Sequence, residues 1–286
     1  MSVDDVLVIG AGISGLACAH ALGARRTVRV LEAAPRAGGL VRSVAEDGFQ
    51  WEEGPEALPP AAAAVRALCN ELALPIEEAS ATAARRYVLH GGALVEVPAS
   101  PPALLASRLF SLRGKLRLLC EPLRARGVAL DGSIADFVRH RLGAEFLERL
   151  VDPLVGGIHA GDAEELSLGA CFPEAVELVT RHGTILAALR ARARERESGA
   201  ARALWKPHAG MGALVEALAR ALGPALELGQ RATSLAREAQ GFRVGLADGS
   251  SRSARTVVLA TPLAAARTLL VEAAPEAART LATMSA

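Results

Sequence analysis

Apolar and polar positions at the beginning of the chain follow the two periods of a β-α-β unit. Val6 to Ile9 is a continuous apolar run, which is typical of a strand buried on both faces. A helical pattern follows over residues 16–23, and a second apolar run over residues 27–31 ends at Glu32. The pattern predicts an α/β fold whose first two strands are parallel and buried.

The remaining pattern divides into a helical middle and a strand-rich end. Residues 61–73 are predicted as a helix, and residues 86–89 and 93–97 as a strand pair. Residues 100–204 are almost entirely helical in pattern. Further strands are predicted over residues 225–228, 233–239, 242–247 and 252–260.

A glycine-rich turn with the spacing G-x-G-x-x-G joins the first strand to the first helix. Gly10 allows the tight turn, Gly12 lets the backbone approach a diphosphate, and Gly15 lets the helix pack closely on the strand. The helix N-terminus offers unpaired N–H groups to the phosphates, and Glu32 offers a carboxylate to a ribose diol. The predicted dinucleotide site therefore consists of Gly10, Ala11, Gly12, Ile13, Ser14, Gly15 and Glu32.

The residues that follow resemble two further motifs of the amine-oxidase-like flavoproteins. Glu32 to Gly39 is similar to their E-x-x-x-R-x-G-G segment, in which Arg36 can neutralise the charge of the diphosphate. Trp51 to Pro55 is similar to their E-x-G-P turn near the flavin ring. This resemblance implies FAD as the cofactor. It extends the predicted site to Ala33, Arg36, Gly38, Gly39, Leu40, Gly54, Pro55, Glu56, Ala57 and Ala232.

Two segments resemble the protoporphyrinogen oxidases in particular, and the resemblance covers essentially the whole chain. Arg86 to Leu94 is similar to their R-[FY]-x-x-x-G-G-x-L strand pair, and Gly157 to Asp162 to their G-[IV]-[FY]-A-G-[DN] motif. The chain departs from the family with His at position 159, where an aromatic residue is usual, and Ala at position 232, where relatives have Val.

The resemblance implies that protoporphyrinogen IX is oxidised to protoporphyrin IX with dioxygen as acceptor. The flavin carries this chemistry, so no side chain is assigned as catalytic. Arg86 is expected to pair with a substrate propionate, because a guanidinium can bind a carboxylate through two hydrogen bonds.

The resemblance also implies a discontinuous architecture. A Rossmann-like FAD-binding domain is expected from residues 1–58 and 208–262, and part of a mixed-sheet substrate domain from residues 59–100 and 263–286. Residues 101–207 are expected to form an inserted helical domain. Family members are longer, so the chain is expected to lack their C-terminal third and to be a poor catalyst alone. A homodimer is a candidate assembly on the same grounds.

The composition and the pattern of the chain indicate which other partners to expect among nucleic acid, metal ions and membranes. The net charge of +1 argues against general nucleic-acid binding, and neither the cysteines nor the histidines show metal-ligand spacing, so no metal is assigned. No apolar stretch reaches the roughly 18 residues that a membrane-spanning helix needs. A cytoplasmic protein is expected.

One predicted helical face carries four leucines and is flanked by basic residues: Leu112, Leu116, Leu119 and Leu123. This face suits either core packing or contact with the inner face of the cell membrane.

Three alternatives stay open at this point. The same motifs fit an oxidase of coproporphyrinogen III. A phytoene-desaturase-like or amine-oxidase-like flavoenzyme shares the pattern of residues 1–55 and should lack the motif at residues 157–162. A truncated product that binds flavin or porphyrin without catalysis would keep both patterns.

Overall fold

The structure is a computed structural model that describes residues 3–80, 85–98, 100–124, 132–197 and 203–284. The described residues form two compact units, one within residues 1–78 and 204–286 and the other within residues 79–203. We refer to them as the sheet unit and the helical unit. The chain therefore begins in the sheet unit, leaves it for the helical unit and returns.

Both units contain helices and strands. The first part of the sheet unit contains β1 (Asp4–Ile9), α1 (Ile13–Gly23), β2 (Val28–Glu32), β3 (Ser43–Glu46), β4 (Phe49–Glu52), α2 (Ala63–Glu71) and β5 (Ile76–Glu78). The helical unit contains β6 (Tyr87–His90), β7 (Ala93–Glu96), α3 (Pro101–Ala106), α4 (Leu112–Leu119), a 3-10 turn (Glu121–Arg124), α5 (Ile134–Arg141), α6 (Ala144–Phe146), a π-helical turn (Leu147–Val151), α7 (Asp152–His159), α8 (Leu168–Cys171), α9 (Pro173–His182) and α10 (Ile185–Glu197). The second part of the sheet unit contains β8 (Trp205–Pro207), α11 (Gly212–Leu222), a 3-10 turn (Gly223–Ala225), β9 (Leu226–Leu228), β10 (Ala232–Glu238), β11 (Gly241–Leu246), β12 (Ser251–Leu259), α12 (Leu263–Ala273) and α13 (Pro275–Ala282).

A six-stranded sheet with the order β10-β11-β12-β1-β2-β9 forms the centre of the sheet unit. Neighbouring strands from β12 to β9 are parallel, whereas β11 is antiparallel to both β10 and β12. In this register Val8 of β1 lies between Val30 of β2 and Val258 of β12. The predicted parallel strand pair and the Rossmann-like α/β fold are therefore confirmed.

Apolar side chains cover both faces of this sheet. Alternate residues of a strand point to opposite faces. Val8 therefore packs in one cluster with Leu16 of α1 and Leu214 of α11, whereas Leu7 packs in another with Leu269 of α12. Because β1 is buried on both faces of the sheet, its sequence is an unbroken apolar run from Val6 to Ile9.

Two short strand pairs of the sheet unit are not among the strands that the sequence predicts. In the β3-β4 hairpin, the apolar and polar residues of β4 alternate over only four positions, and its apolar side chains, Phe49 and Trp51, are exposed. The β5-β8 pair joins two strands of three residues each, and in the sequence the whole helical unit lies between them. Strands that are so short, with partners so distant, cannot be recognised from local periodicity.

The helical unit encloses its own apolar core, onto which the β6-β7 hairpin packs through Val88. Phe110 and Phe146 stack in this core with their ring centroids 3.9 Å apart. A buried ion pair joins Glu121 to Nη1 of Arg141 at 2.6 Å. Within the described ranges, no helix is long and apolar enough to cross a membrane.

The boundaries of the two units differ from the predicted domains. Residues 59–78 fall in the sheet unit because Cys69 and Trp205 share its core, and residues 263–284 fall there because α12 covers the sheet. Residues 79–98 fall in the helical unit, in whose core Val88 is buried. That residues 59–100 and 263–286 belong to a substrate domain stays a prediction.

Candidate functional site

The two glycine-rich segments lie side by side at the end of β1. The Gly38 N–H donates to the carbonyl of Ala11 at 2.8 Å, and Gly12 and Gly38 form a parallel β-bridge. Gly38 and Gly39 have φ angles of +107° and +57°, which favour glycine. A Cβ on Gly39 would lie 3.3 Å from the Cα of Gly12. The fold thus brings together the two motifs that the sequence assigns to a nucleotide.

Gly10 and Gly15 are glycines for reasons internal to the fold. Gly10 has a φ angle of +103°, and a Cβ there would lie 2.5 Å from the carbonyl oxygen of Ala260. A Cβ on Gly15 would lie 1.9 Å from the carbonyl oxygen of Gly10. Neither distance leaves room for a side chain. The turn can close, and α1 can approach it, only if both positions are glycine.

Gly12 differs from its neighbours, because nothing among the described residues requires glycine there. Its φ and ψ angles of −65° and 170° suit any residue, and no described atom lies within 4 Å of the place that a Cβ would occupy. A side chain at this position would project into open space beside the second glycine segment. A diphosphate that packs against bare backbone would fill that space, so the loop fits a dinucleotide.

Backbone N–H groups are available at the same place. Helix α1 begins at Ile13 without a side-chain cap, and the Leu16 N–H donates to the Gly12 carbonyl at 3.0 Å. Within the part of the chain that the structure describes, no acceptor pairs with the N–H groups of residues 13–15. These donors and the positive end of the helix dipole suit an anionic diphosphate.

Glu32 connects the two glycine segments through its carboxylate. Its Oε2 accepts the N–H of Ala11 at 2.7 Å, and its Oε1 accepts the N–H of Ala34 at 2.8 Å. Each oxygen keeps a further lone pair, so Glu32 can still accept hydrogen bonds from a ribose diol. The Glu32 backbone carbonyl accepts the N–H of Gln230 at 2.7 Å, which brings the segment before Ala232 to the same end of the sheet.

Arg36 and the exposed Leu40 flank the glycine pair. The Arg36 guanidinium donates to the carbonyls of Ala37 and Gly39 at 3.2 and 3.0 Å. Arg36 therefore holds the turn in shape while its charge stays exposed to solvent. Leu40 is 87% exposed, which is unusual for a leucine inside such a compact turn.

The predicted E-x-G-P turn lies against the same segment. A Cβ on Gly54 would lie 2.0 Å from the carbonyl oxygen of Leu40, so this approach also requires glycine. Further along the chain, Leu58 exchanges two backbone hydrogen bonds with Trp205, at 2.7 and 3.1 Å. Pro55, Glu56 and Ala57 lie between these two fixed points.

Ser43, which no sequence motif marks, and Glu52, the first residue of the predicted E-x-G-P turn, hold the beginning of α11. The Gly212 N–H donates to Ser43 Oγ at 2.8 Å, and the Met211 N–H donates to Glu52 Oε1 at 3.0 Å. The Ser43 hydroxyl in turn donates to Glu52 Oε2 at 2.6 Å. The capped residues are 169 and 159 positions away in the sequence, so only the tertiary fold reveals this cap.

Thr261 is a further candidate for the site that sequence reasoning missed. It follows β12, beside Gly10: a Cβ on Gly10 would lie 3.3 Å from the Thr261 nitrogen. Its hydroxyl is buried and has no hydrogen-bond partner among the described residues. A buried hydroxyl without a partner is destabilising, so this position suits a ligand that supplies one. The only signal in the sequence is the Thr-Pro pair that ends an apolar run.

Arg86 lies in the helical unit, immediately before β6. Its carbonyl accepts the N–H of Val97 at 2.8 Å, and its side chain is exposed. The neighbouring Arg85 pairs with Glu96 at 3.7 Å, whereas no described carboxylate lies within ion-pair distance of Arg86. Of the two arginines, Arg86 is therefore the one whose guanidinium is open to an external carboxylate.

The motif at residues 157–162 ends α7 and turns the chain. Ala160 takes a left-handed conformation with a φ angle of 50°. The His159 ring packs edge-on against Phe172 with centroids 5.1 Å apart, and Asp162 accepts the N–H of Glu164 at 2.9 Å. His159 and Asp162 thus make packing and turn contacts. Across the described ranges, no group of three or more His, Cys, Asp or Glu side chains is placed to hold a metal ion.

Comparison with known proteins defines the class to which the chain belongs. The family model of the flavin-containing amine oxidoreductases matches residues 13–286. The chain belongs to this family, and FAD is its cofactor, as the glycine segments predicted.

The share of the chain that matches differs from one similar protein to another. The chain is 32% identical to protoporphyrinogen oxidase 2 of Arabidopsis thaliana, over 65% of this chain and 38% of that protein. It is 28% identical to coproporphyrinogen III oxidase of Bacillus subtilis (strain 168), over 93% of this chain and 62% of that protein. A crystal structure of a protein from Exiguobacterium sp. 255-15 shares the fold with a TM-score of 0.79 at 24% identity, covering 98% of this chain and 64% of that one. The chain therefore spans less than two thirds of the length of each.

Proposed function

We propose that the chain acts as an FAD-dependent protoporphyrinogen oxidase, which converts protoporphyrinogen IX to protoporphyrin IX with dioxygen as the acceptor. The observation that carries the substrate class is the similarity to curated plant and bacterial relatives whose names specify porphyrinogens. The open guanidinium of Arg86 supports it, because porphyrinogens carry propionates that such a group can bind.

The proposed roles of this chain's residues follow from the contacts of the sheet unit. The N–H groups of residues 13–15 and the bare backbone at Gly12 hold the diphosphate, and Glu32 orients a ribose. Residues 38–40, the turn at residues 54–57 and Ala232 surround the same cofactor. When bound, FAD would supply the hydride-accepting redox chemistry, with dioxygen as the proposed final electron acceptor. Arg86 binds the substrate and takes no part in proton transfer.

Coproporphyrinogen III is the second candidate substrate. It is favoured by the Bacillus subtilis relative, which is similar over 93% of this chain rather than the 65% covered by the Arabidopsis thaliana relative. The two substrates share the reduced macrocycle and differ in the number of carboxylates around it. One free arginine does not distinguish them, so the assay has to include both.

The test is porphyrin fluorescence after mixing the FAD-loaded chain with protoporphyrinogen IX or coproporphyrinogen III in air. Because the chain is expected to be a poor catalyst alone, we expect only a slow rise in fluorescence. The rise should still be faster with the loaded chain than with the same concentration of free FAD, and fastest with protoporphyrinogen IX. Preference for coproporphyrinogen III would replace the first substrate by the second. If both rates equal the free-FAD control while porphyrin still binds, the chain is a non-catalytic binding protein and the proposed activity is wrong.

We also propose that the helical unit contacts an anionic membrane surface. Leu112, Leu116 and Leu123 are 80%, 62% and 85% exposed, so these leucines do not pack in the core. Basic residues such as Arg113 and Arg124 are exposed nearby, which suits anionic lipid.

The chain should float with phosphatidylglycerol vesicles, and Leu112→Ser with Leu116→Ser should abolish flotation. Leu89→Ser with Leu94→Ser is the matched control, because these leucines are equally exposed on β6-β7. Equal flotation of both double variants, or none for the wild-type chain, would contradict this contact.

A further inference from the structure

A cavity of about 470 Å³ lies in the helical unit, between α3, the end of α4 and α10. Its apolar wall includes Pro101, Leu118 and Leu186, which are buried, and Leu105, which is half-buried. None of these residues belongs to the glycine segments or to the Arg86 region. The volume falls within the range of about 300 to 1,000 Å³ that is usual for small-molecule sites.

Two arginines stand at the rim of this cavity. Arg190 and Arg194 lie one helical turn apart on α10, and both are exposed. No described carboxylate pairs with either of them, whereas Arg181 on the preceding helix pairs with Glu177. Like charges four residues apart on a helix repel each other. An anion that bridges both guanidiniums would remove that repulsion and form charge-assisted hydrogen bonds.

The nearest buried charge does not oppose such an anion. Glu121 lies behind the wall, where its carboxylate accepts the N–H of Ile185, the residue before Leu186. Arg141 neutralises it at 2.6 Å, and both side chains are buried. Among the described side chains, the cavity therefore combines an apolar interior with a positively charged rim.

We propose that this cavity binds one molecule of an anionic amphiphile, an acyl chain that ends in a carboxylate. The acyl chain would lie along Leu105, Leu118 and Leu186, and the carboxylate would bridge Arg190 and Arg194. Burial of an apolar chain favours binding, while the arginines select a negative head group over a neutral one. The site is distinct from the proposed membrane contact, although Leu119 at its edge also belongs to the exposed leucine face.

The experiment is calorimetric titration of the FAD-loaded chain with decanoate, kept below the concentration at which it forms micelles. We expect saturable binding of one molecule per chain, and binding of decanol, which has the same chain without the charge, at least tenfold weaker. Arg190→Gln with Arg194→Gln should weaken decanoate binding at least tenfold and leave decanol binding unchanged. Arg181→Gln is the matched control, because Arg181 is an exposed helix arginine away from the cavity.

A second variant, a vesicle-binding measurement and one competitor complete the test. Leu105→Trp should fill part of the cavity and weaken decanoate and decanol alike, while the circular dichroism spectrum stays unchanged. Equal affinity of decanoate for the wild-type chain and the double arginine variant would overturn the proposal. So would binding to phosphatidylglycerol vesicles with no binding of the monomer, or displacement of decanoate by protoporphyrin at equimolar concentration, which would assign the cavity to a tetrapyrrole.

Discussion

The sheet unit and the helical unit form their functional surfaces from different parts of the chain. In the sheet unit most of the proposed cofactor contacts come from backbone, namely the bare glycine positions and the unpaired N–H groups at the start of α1, while the Glu32 side chain holds the loops together. In the helical unit the proposed contact is a side chain, the open Arg86, and a buried side-chain pair, Glu121 and Arg141, lies in the core. A site made of backbone is determined by the spacing of the glycines along the sequence. A site made of side chains is determined by which residues, distant in the sequence, come into contact in the fold.

This difference has an energetic consequence. Backbone contacts with a diphosphate survive most substitutions but fail when a side chain is added at a position that must stay bare. Side-chain contacts in a core fail when one partner is removed, because the other is left buried and unpaired. Substitutions in the two units should therefore separate cofactor affinity from stability.

The largest effect on stability should follow from Glu121→Ala. It leaves the Arg141 guanidinium buried without a counter-ion, which costs about 3 to 5 kcal/mol. Urea unfolding followed by circular dichroism measures the change. Glu164→Ala is the control, because Glu164 pairs with Arg139 on the surface, and we expect almost no change from it. Equal destabilisation by both variants would show that burial of the Glu121 pair does not matter.

Arg86→Ala should weaken porphyrin binding by the worth of one charged hydrogen bond, about 1.5 to 3 kcal/mol. The flavin content of the chain should not change, because Arg86 lies outside the sheet unit that carries the glycine segments. Fluorescence titration of the FAD-loaded chain with protoporphyrin measures the affinity. Arg85→Ala is the matched control, since Arg85 already pairs with Glu96. An Arg86 variant that binds like the control would remove the proposed role.

Ser43→Ala should destabilise the sheet unit by about 1 kcal/mol, the usual worth of a helix N-cap. It removes the acceptor of the Gly212 N–H and the donor to Glu52. Ser100→Ala provides the comparison in the helical unit, where Ser100 caps α3 only three residues away. Hydrogen exchange should report faster opening of α11 in the first variant and of α3 in the second. Exchange that is unchanged at α11 would show that the long-range cap is dispensable.

The smallest effect concerns pH and Glu145 of the helical unit. Partial burial pushes the pKa of Glu145 upward, but the N–H and hydroxyl of Ser111 and the charge of Arg149 outweigh it, so the pKa lies below its ordinary value of 4.5. A lowered folded-state pKa means that the contribution is present above pH 4.5 and is lost as the pH falls through the folded-state value. Unfolding free energy should therefore fall more steeply below pH 4.5 in the wild-type chain than in Glu145→Gln. Parallel pH profiles for the two proteins would contradict this assignment.

The sequence predicts the centre of the sheet unit well and its periphery poorly. The strand, glycine turn and helix at residues 4–23 are contiguous, so spacing alone determines them. The β5-β8 pair and the cap of α11 by Ser43 join segments more than a hundred positions apart, and no local pattern encodes such a meeting. The exposed face of α4 also could not be predicted from a local sequence pattern. A helical stripe of leucines looks alike whether it faces a core or solvent, and only the fold shows that it faces solvent.

Titration of the chain with FAD, followed by flavin fluorescence, tests the central claim that bare backbone at Gly12 holds the cofactor. We expect the wild-type chain to bind one FAD and Gly12→Val to bind at least about a hundredfold more weakly, which corresponds to roughly 3 kcal/mol of steric overlap. Gly23→Val is the matched control, because Gly23 ends the same helix and a Cβ there also meets no atom within 4 Å. Affinity within threefold of the wild type for Gly12→Val, with both variants folded, would contradict the account.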